Sequence, residues 1–321
     1  MKLVTIDNTA QGCAGAVLRS GEILHLGKAA AMGTVEIWIP SSVRAILEAG
    51  DQGLALVRQL VNRIESAPAT AQEHLRERGA LTPASTRLLA PVPNPRLIVA
   101  AGLAFKSHLA EMAGTPTPAH PTAFMKSVNS IVGPDAAITI PPHASGHMDY
   151  EGEMAVVFGR TCHRVSRADA LSYVAGYSAA NDVSARDWVQ AVWGAKEPWQ
   201  ARLTWETNIM GKQFDNFTPL GPVLTTADEI RDVTALEITT RLNGTVMQHA
   251  PISDLIFTLA ETIAYFSNWY TFHPGDVLLT GTPAGVGVGR KPPVFMKAGD
   301  VIEVEVSGVG VLRNVLLPAA V

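Results

Sequence analysis

Between Leu88 and Pro95 the sequence reads Leu-Leu-Ala-Pro-Val-Pro-Asn-Pro. Prolines at 91, 93 and 95 can continue neither a helix nor a central strand, because each lacks the amide that both ladders require. The chain must change character there. Upstream, short strands alternate with helices. Residues 1–7 read as a first strand, and Val35-Glu-Ile-Trp-Ile-Pro40 ends a strand-like run, after which Ser41 or Ser42 can cap a helix reaching Gly50. A second helix over 53–66 gathers Leu54, Leu56, Val57, Leu60, Val61 and Ile64 on one broad apolar face, and Ala67-Pro-Ala-Thr70 breaks it. We therefore place a small N-terminal α/β domain at residues 1–94.

Beyond the prolines the texture is short strands separated by Gly, Pro and Asn turns. Residues 97–102 read as a buried strand and 105–112 as a short helix ended by Gly114 and two nearby prolines. A helix is expected over 166–175, with Ser166 and Asp169 in capping-box positions and Gly176 behind it. Asn243-Gly244 predicts a hairpin with a type I′ turn. A longer amphipathic helix is expected over 253–268, then strands at 276–279, 301–306 and 311–317. Residues 95–321 thus read as a β-rich α+β domain.

The chain of 321 residues, 47% hydrophobic and 17% charged, can bury a sizeable core. A formal charge of −4 leaves no basic footprint for nucleic acid and no polybasic membrane signal. No apolar run approaches membrane-spanning length, and residues 1–7 carry no signal-peptide core. Cys13 and Cys162, far apart, suggest a reducing compartment without a disulfide framework. The expectation is a cytoplasmic protein.

The stretch Asp149-Tyr-Glu-Gly-Glu-Met-Ala-Val-Val-Phe158 reads as a strand with an acidic start. Side chains alternate faces along a strand, so Glu151 and Glu153 point the same way, and Asp149 joins them if the strand starts early enough. Carboxylates held side by side repel unless they are in water or share a cation. An all-oxygen cluster suits Mg²⁺, Mn²⁺ or Ca²⁺ rather than zinc. The other reading is a strand edge charged against aggregation. Further on, Asn181 and Asp182 interrupt a small, apolar run, which marks either a turn or a third carboxylate beside Glu151 and Glu153.

Four stretches in order, Asp149-Tyr-Glu-x-Glu, Asn181-Asp-Val-Ser-Ala-Arg-Asp, Lys212-Gln-Phe-Asp-Asn-Phe-Thr-Pro-Leu-Gly-Pro and Leu279-Thr-Gly-Thr-Pro-Ala-Gly-Val-Gly, together resemble the fumarylacetoacetate hydrolase family over about residues 95–317. The N-terminal segment resembles the small extra domain that many members carry. The resemblance implies a β-roll sandwich that binds Mg²⁺ or Mn²⁺ through Glu151, Glu153 and Asp182. It implies a substrate contact from Lys212, a His–Glu dyad matched by His108 and Glu111, and a homodimer. Residues three apart on a helix face each other, so Glu111 could orient and polarise His108 as a general base. Members usually carry Asn-Tyr where this chain has Ala104-Phe105, and Phe105 is grouped with the substrate contacts on that match.

Lys212 reads either as a snorkelling surface lysine or as an ammonium that neutralises a developing oxyanion. Arg186 is a candidate for gripping a substrate carboxylate, or else a structural ion pair with Asp187 or a neighbouring strand. Gln190 stands one place late for the glutamine that members often carry after the Arg-Asp pair. Between Asp187 and Gly211 lie Trp188, Trp193, Trp199 and Trp205, in a segment longer than usual for the family. It reads as a packed loop, a lid, a dimer contact or a hydrophobic wall for a bulky acyl group. Gly285-Val-Gly-Val-Gly289 is not a nucleotide loop, because Arg290-Lys-Pro-Pro293 forbids a helix after it. A turn whose amides, with the Thr282 hydroxyl, meet a substrate carboxylate or carbonyl accounts for it better. His143 and His147 are loop histidines, and nucleophilic catalysis has no support.

The expected activity is metal-dependent hydrolysis of a carbon–carbon bond in a 2,4-dioxo acid such as an acylpyruvate. His108, oriented by Glu111, takes a proton from the attacking water, Lys212 stabilises the oxyanion, and a pyruvate enolate held by the metal departs. A decarboxylase, isomerase or dehydratase of a related 2-oxo acid on the same site is the alternative. An inactive metal-binding scaffold is the alternative of another class.

Overall fold

The computed structural model describes residues 1–9, 11–32, 38–112, 114–142, 146–187 and 189–318, without the side chains of residues 190, 192 and 193. Strands β1 (Lys2–Ile6), β2 (Cys13–Val17) and β3 (Ile23–His25) pair antiparallel in sequence order. Helix α1 (Leu26–Ala31) follows directly. Ser42 caps α2 (Val43–Glu48) as its sequence predicts, accepting the Ala45 amide at 3.1 Å. Gly50 takes φ +63°, a conformation open to glycine, and turns the chain into α3 (Gly50–Glu65), which buries Val57, Leu60, Val61 and Ile64. Helix α4 (Ala69–Glu77) and strands β4 (Leu81–Thr82) and β5 (Leu88–Leu89) lead into the prolines. The strand-like run expected at 35–40 falls partly outside the described residues.

Next come β6 (Ile98–Gly102), α5 (Lys106–Glu111), β7 (Thr122–Met125), β8 (Ile131–Val132) and β9 (Ala137–Ile140). The acidic strand is interrupted: β10 (Met148–Asp149) stops short of β11 (Gly152–Phe158). The helix expected over 166–175 does not form. Ser166 and Asp169 do exchange capping hydrogen bonds, but these close only a turn, with a 3₁₀ turn over Ala170–Tyr173 behind it. From Val174 the chain enters β12 (Val174–Asn181), where pairing with β11 and burial override the local helix signal.

Strand β13 (Ser184–Ala185) pairs with β10, and α6 (Val189–Gly194) and α7 (Pro198–Met210) follow. Strand β14 (Thr218–Thr226) precedes the hairpin of β15 (Glu237–Leu242) and β16 (Thr245–Pro251). Its turn has φ +50° at Asn243 and +80° at Gly244, the type I′ geometry expected. The helix expected over 253–268 is shorter: α8 (Leu259–Phe266) begins at a full capping box of Thr258 and Glu261, while Leu255 bridges Phe105. Thr258→Ala is expected to destabilise the fold by about 1 kcal/mol, measured by urea denaturation, because it removes that cap. Strands β17 (Val277–Leu279), β18 (Val301–Val306) and β19 (Gly310–Pro318) complete the chain.

The larger sheet runs β4-β3-β2-β1-β14-β12-β11-β17-β6-β7, with β5 on β1 and β8 on β14, and the smaller runs β16-β15-β18-β19-β9. Pairing of β1 with β14 joins strands from either side of the prolines into one sheet. Val156, Tyr177 and Ala179 of the larger sheet meet Ile238, Val304 and Val306 of the smaller in one buried core, with Leu259, Ile263 and Phe266 of α8. Ala155, Val157 and Leu224 on the opposite face pack with residues of α1 to α3. This is the strand-rich α+β sandwich expected. Among the described residues no helix is long and apolar enough to cross a membrane.

Candidate active site

Two neighbouring strands build the acidic centre. Gly152 pairs with Asn181 and Glu153 with Ala180, so Glu151 and Glu153 converge with Asp182, which follows β12. One carboxylate oxygen from each of the three lies within 4.8 Å of the other two, and all three residues are buried. The break in the acidic strand is held by cross-links: the Glu151 amide donates to Asn181 Oδ1 and the Asp182 amide to Glu151 O, both at 2.9 Å. Gly152 is needed between the two glutamates because a Cβ there would collide with the Thr240 hydroxyl of the opposite sheet.

Cations surround these acids unevenly. Lys212 Nζ donates to Glu151 Oε2 at 2.7 Å and to Asp182 Oδ2 at 2.6 Å. Lys126 pairs with the other oxygen of Asp182 and donates to Phe217 O at 3.0 Å. Arg186 bridges Glu151 and Asp149. Burial opposes ionisation of Glu151, but Lys212 and Arg186 outweigh it and hold the carboxyl below its ordinary range. Among the described residues Glu153 accepts only the Gly281 amide, at 2.7 Å. Burial, with the charges of Asp182 and Glu151 beside it, pushes its carboxyl well above the usual range. Burial also pulls Lys126 down, whereas Asp182 and Glu151 overcome burial at Lys212 and push it up.

The donor set fits a hard divalent cation: three buried carboxylates, no nitrogen or sulfur, and a Glu153 carboxyl that burial and its acidic neighbours hold above its ordinary range, an effect a bound cation would offset. Calorimetric titration with Mn²⁺ in two buffers of different ionisation enthalpy is expected to show proton release, with binding that weakens as pH falls. At a hundred times its Kd the ion should raise unfolding stability by about 2.7 kcal/mol, and EDTA should remove that gain.

The second group lies on α5. His108 Nδ1 is 3.2 Å from Glu111 Oε2, and both side chains are largely buried. The Gly285 amide donates to Glu111 Oε1 and Oε2 at 3.1 and 3.2 Å. A glutamate against Nδ1 selects the tautomer with its proton there, which leaves Nε2 as the basic nitrogen. His108 lies near enough to Glu151 for its protonated form to act on that carboxyl. The structure therefore brings His108, Glu111, Lys212 and the three carboxylates to one place.

Other expected contacts sit elsewhere. Arg186 is engaged by Asp149 and Glu151 rather than by Asp187, which instead lies 3.3 Å from His147 Nδ1. The Thr282 hydroxyl donates to Gly152 O at 3.0 Å and accepts from Gln248 at 2.7 Å. Phe105 is fully buried in the core between the sheets, where Leu255 bridges it. Thr282 and Phe105 thus make contacts within the chain that hold the site's framework. In the 285–289 turn the Gly285 amide meets Glu111, and the Gly287 and Val288 amides meet Asp149. Trp199 and Trp205 are exposed on α7, none of whose residues is buried. Trp188 and His143, with the side chains of Gln190 and Trp193, lie outside the described residues. Sequence reasoning missed Lys126, whose signal is a lysine closing the apolar run Ala123-Phe-Met125. It also missed Gln248, which binds Gly152 N and Thr282.

Residues 97–317 match the family model of the fumarylacetoacetate (FAA) hydrolase C-terminal domain. Human oxaloacetate tautomerase FAHD2A, a protein named as mitochondrial, is 38% identical over 276 residues, 86% of this chain and 80% of its own. That name does not speak for the cytoplasmic expectation. The structure of maleylpyruvate hydrolase from Sphingobium sp. SYK-6, in complex with manganese(II) and pyruvate, covers all of both chains at 26% identity and a TM-score of 0.71. The 2-hydroxyhepta-2,4-diene-1,7-dioate isomerase of Mycobacterium marinum is 35% identical, with a TM-score of 0.60 over 76% of this chain and 82% of its own. A tautomerase, a hydrolase and an isomerase therefore share this architecture, and both the domain match and the extent of identity show that the chain belongs to the fumarylacetoacetate hydrolase family of enzymes.

Proposed function

We propose that this chain interconverts the keto and enol forms of a short 2-oxo dioic acid of the oxaloacetate class. The observation that carries the reading is the His108–Glu111 dyad beside a buried, cation-ready carboxylate cluster. Similarity to a human oxaloacetate tautomerase supports the substrate class. Neutral His108, its Nδ1 proton held by Glu111, takes a proton from the carbon next to the 2-oxo group through Nε2. Charge then develops on the carbonyl oxygen, and the Lys212 ammonium stabilises it. The imidazolium returns the proton to that oxygen, so only C–H and O–H bonds change and no water is consumed. A divalent cation held by Glu151, Glu153 and Asp182, Mg²⁺ or Mn²⁺, supplies Lewis-acid polarisation of the 2-oxo acid when bound.

Hydrolysis of a 2,4-dioxo acid is the second reading, favoured by the likeness to maleylpyruvate hydrolase. There the same Nε2 takes a proton from water attacking the distal carbonyl. The test follows enol absorbance of oxaloacetate and diketone absorbance of an acylpyruvate panel, with Mg²⁺ or Mn²⁺ and EDTA controls, while assaying pyruvate. Faster keto–enol relaxation without pyruvate release supports the tautomerase. Acid and pyruvate released from an acylpyruvate would replace it with the hydrolase, and pyruvate from oxaloacetate with a decarboxylase. Silence on every substrate would leave the inactive scaffold.

A further inference from the structure

Asp149 lies outside the carboxylate triad, and the proposed proton transfer does not use it. It is nevertheless completely buried and accepts from the amides of Tyr150 at 2.9 Å, Gly287 at 2.6 Å and Val288 at 3.1 Å, and from Arg186 Nε at 3.0 Å. A buried carboxylate is retained only with such compensation. Two residues before Gly287, the Gly285 amide donates to Glu111 instead. The fit is close on both sides of the turn. A Cβ at Gly287 would stand 2.6 Å from Asp149 Oδ1, and one at Gly289 would stand 2.5 Å from Glu111 Cδ. Gly285 O accepts from the Tyr150 hydroxyl at 3.1 Å and from Arg290 Nε at 3.2 Å, which fastens the turn to the residue next to Asp149.

Helix α5 has six residues, and its N-cap Phe105 offers no side-chain hydrogen bond. So short a helix does not hold its own geometry, and the place of Glu111 is set from outside. We infer that Asp149 is a positioning residue: through the 285–289 turn it sets Glu111, and hence His108, in a fixed relation to the carboxylate cluster, which it reaches through Arg186. This rests on the proton-transfer reading for its purpose, while the coupling itself requires no substrate.

Hydrogen–deuterium exchange of the full chain tests it, in Asp149→Asn and Gly289→Ala. Gly289 has an ordinary backbone conformation, so alanine there acts through the clash with Glu111 and leaves every buried charge paired. Amides of residues 106–112 are expected to exchange about tenfold faster in both variants, although Asp149 touches none of them, while α3 exchanges as in the wild type. On oxaloacetate, Gly289→Ala should lower kcat about tenfold with little change in KM, and should add nothing in a Glu111→Ala background. Unchanged exchange at 106–112 in the Asp149 variant would overturn the inference, whatever Gly289→Ala does, as would an equal loss of kcat in Gly289→Ala with and without Glu111. If Asp149→Asn does not fold, Asp149→Glu, which keeps the charge against Arg186 but displaces the Gly287 and Val288 amides, is measured in its place. Faster exchange in an enzyme inert toward oxaloacetate would retire the tautomerase and leave the coupling standing.

Discussion

His108→Gln is expected to lower the catalysed keto–enol relaxation of oxaloacetate by about 10²–10⁴-fold, the range lost when a positioned general base is removed. Glutamine keeps an N–H that can reach Glu111 and fills much of the imidazole's space, so the circular dichroism spectrum and thermal midpoint should stay near wild type. What it lacks is a basic nitrogen at the Nε2 position. Lys212 cannot substitute, because its ammonium is bound by Glu151 and Asp182 and pushed above its ordinary range. Stopped-flow absorbance of the enol gives the rate. A variant that retained wild-type turnover would remove His108 from the reaction. Decarboxylation needs no general base at the carbon, so pyruvate release unaffected by His108→Gln would favour that chemistry instead.

The parts of this site that could be read from the sequence are those set by short spacing. Glu151 and Glu153 are two apart, so a strand must turn them to one side, and His108 and Glu111 are three apart, so a helix must bring them together. Asn243-Gly244 specifies its turn within two residues. The unread parts are set by distant pairing. Asp149 meets Gly287 and Lys126 meets Asp182 across wide gaps in sequence that no local pattern reports. Arg186 was readable as an ion-pair former but not as the bridge between Asp149 and Glu151. The two misplaced helices have the same cause. The capping bonds at Ser166 and Asp169 are real, yet Val174 pairs opposite Phe158 and the sheet takes the chain. Leu255 is drawn to Phe105, and α8 waits for the stronger capping box at Thr258.

Lys126→Met is expected to reduce stability to guanidinium by about 3–5 kcal/mol, the range for removing one partner of a buried ion pair. The Lys126 side chain is 0% exposed and its Asp182 partner 1%, so neither charge has water to fall back on. Methionine fills the stem's volume but leaves Asp182 Oδ1 and Phe217 O without their donor. Lys212 still holds the other oxygen of Asp182, which places the loss toward the lower end of that range. A surface pair sets the contrast. Arg58 and Asp228 are 43% and 53% exposed, and Arg58→Met should be worth no more than about 1 kcal/mol. Lys126→Met combined with Asp182→Asn should recover part of the single-variant loss, because no unpaired charge then remains buried. Saturating Mn²⁺ should narrow the gap between Lys126→Met and wild type if Asp182 is a ligand, since the ion would replace the lost positive charge. An equal gap with and without the ion would take Asp182 out of the metal site.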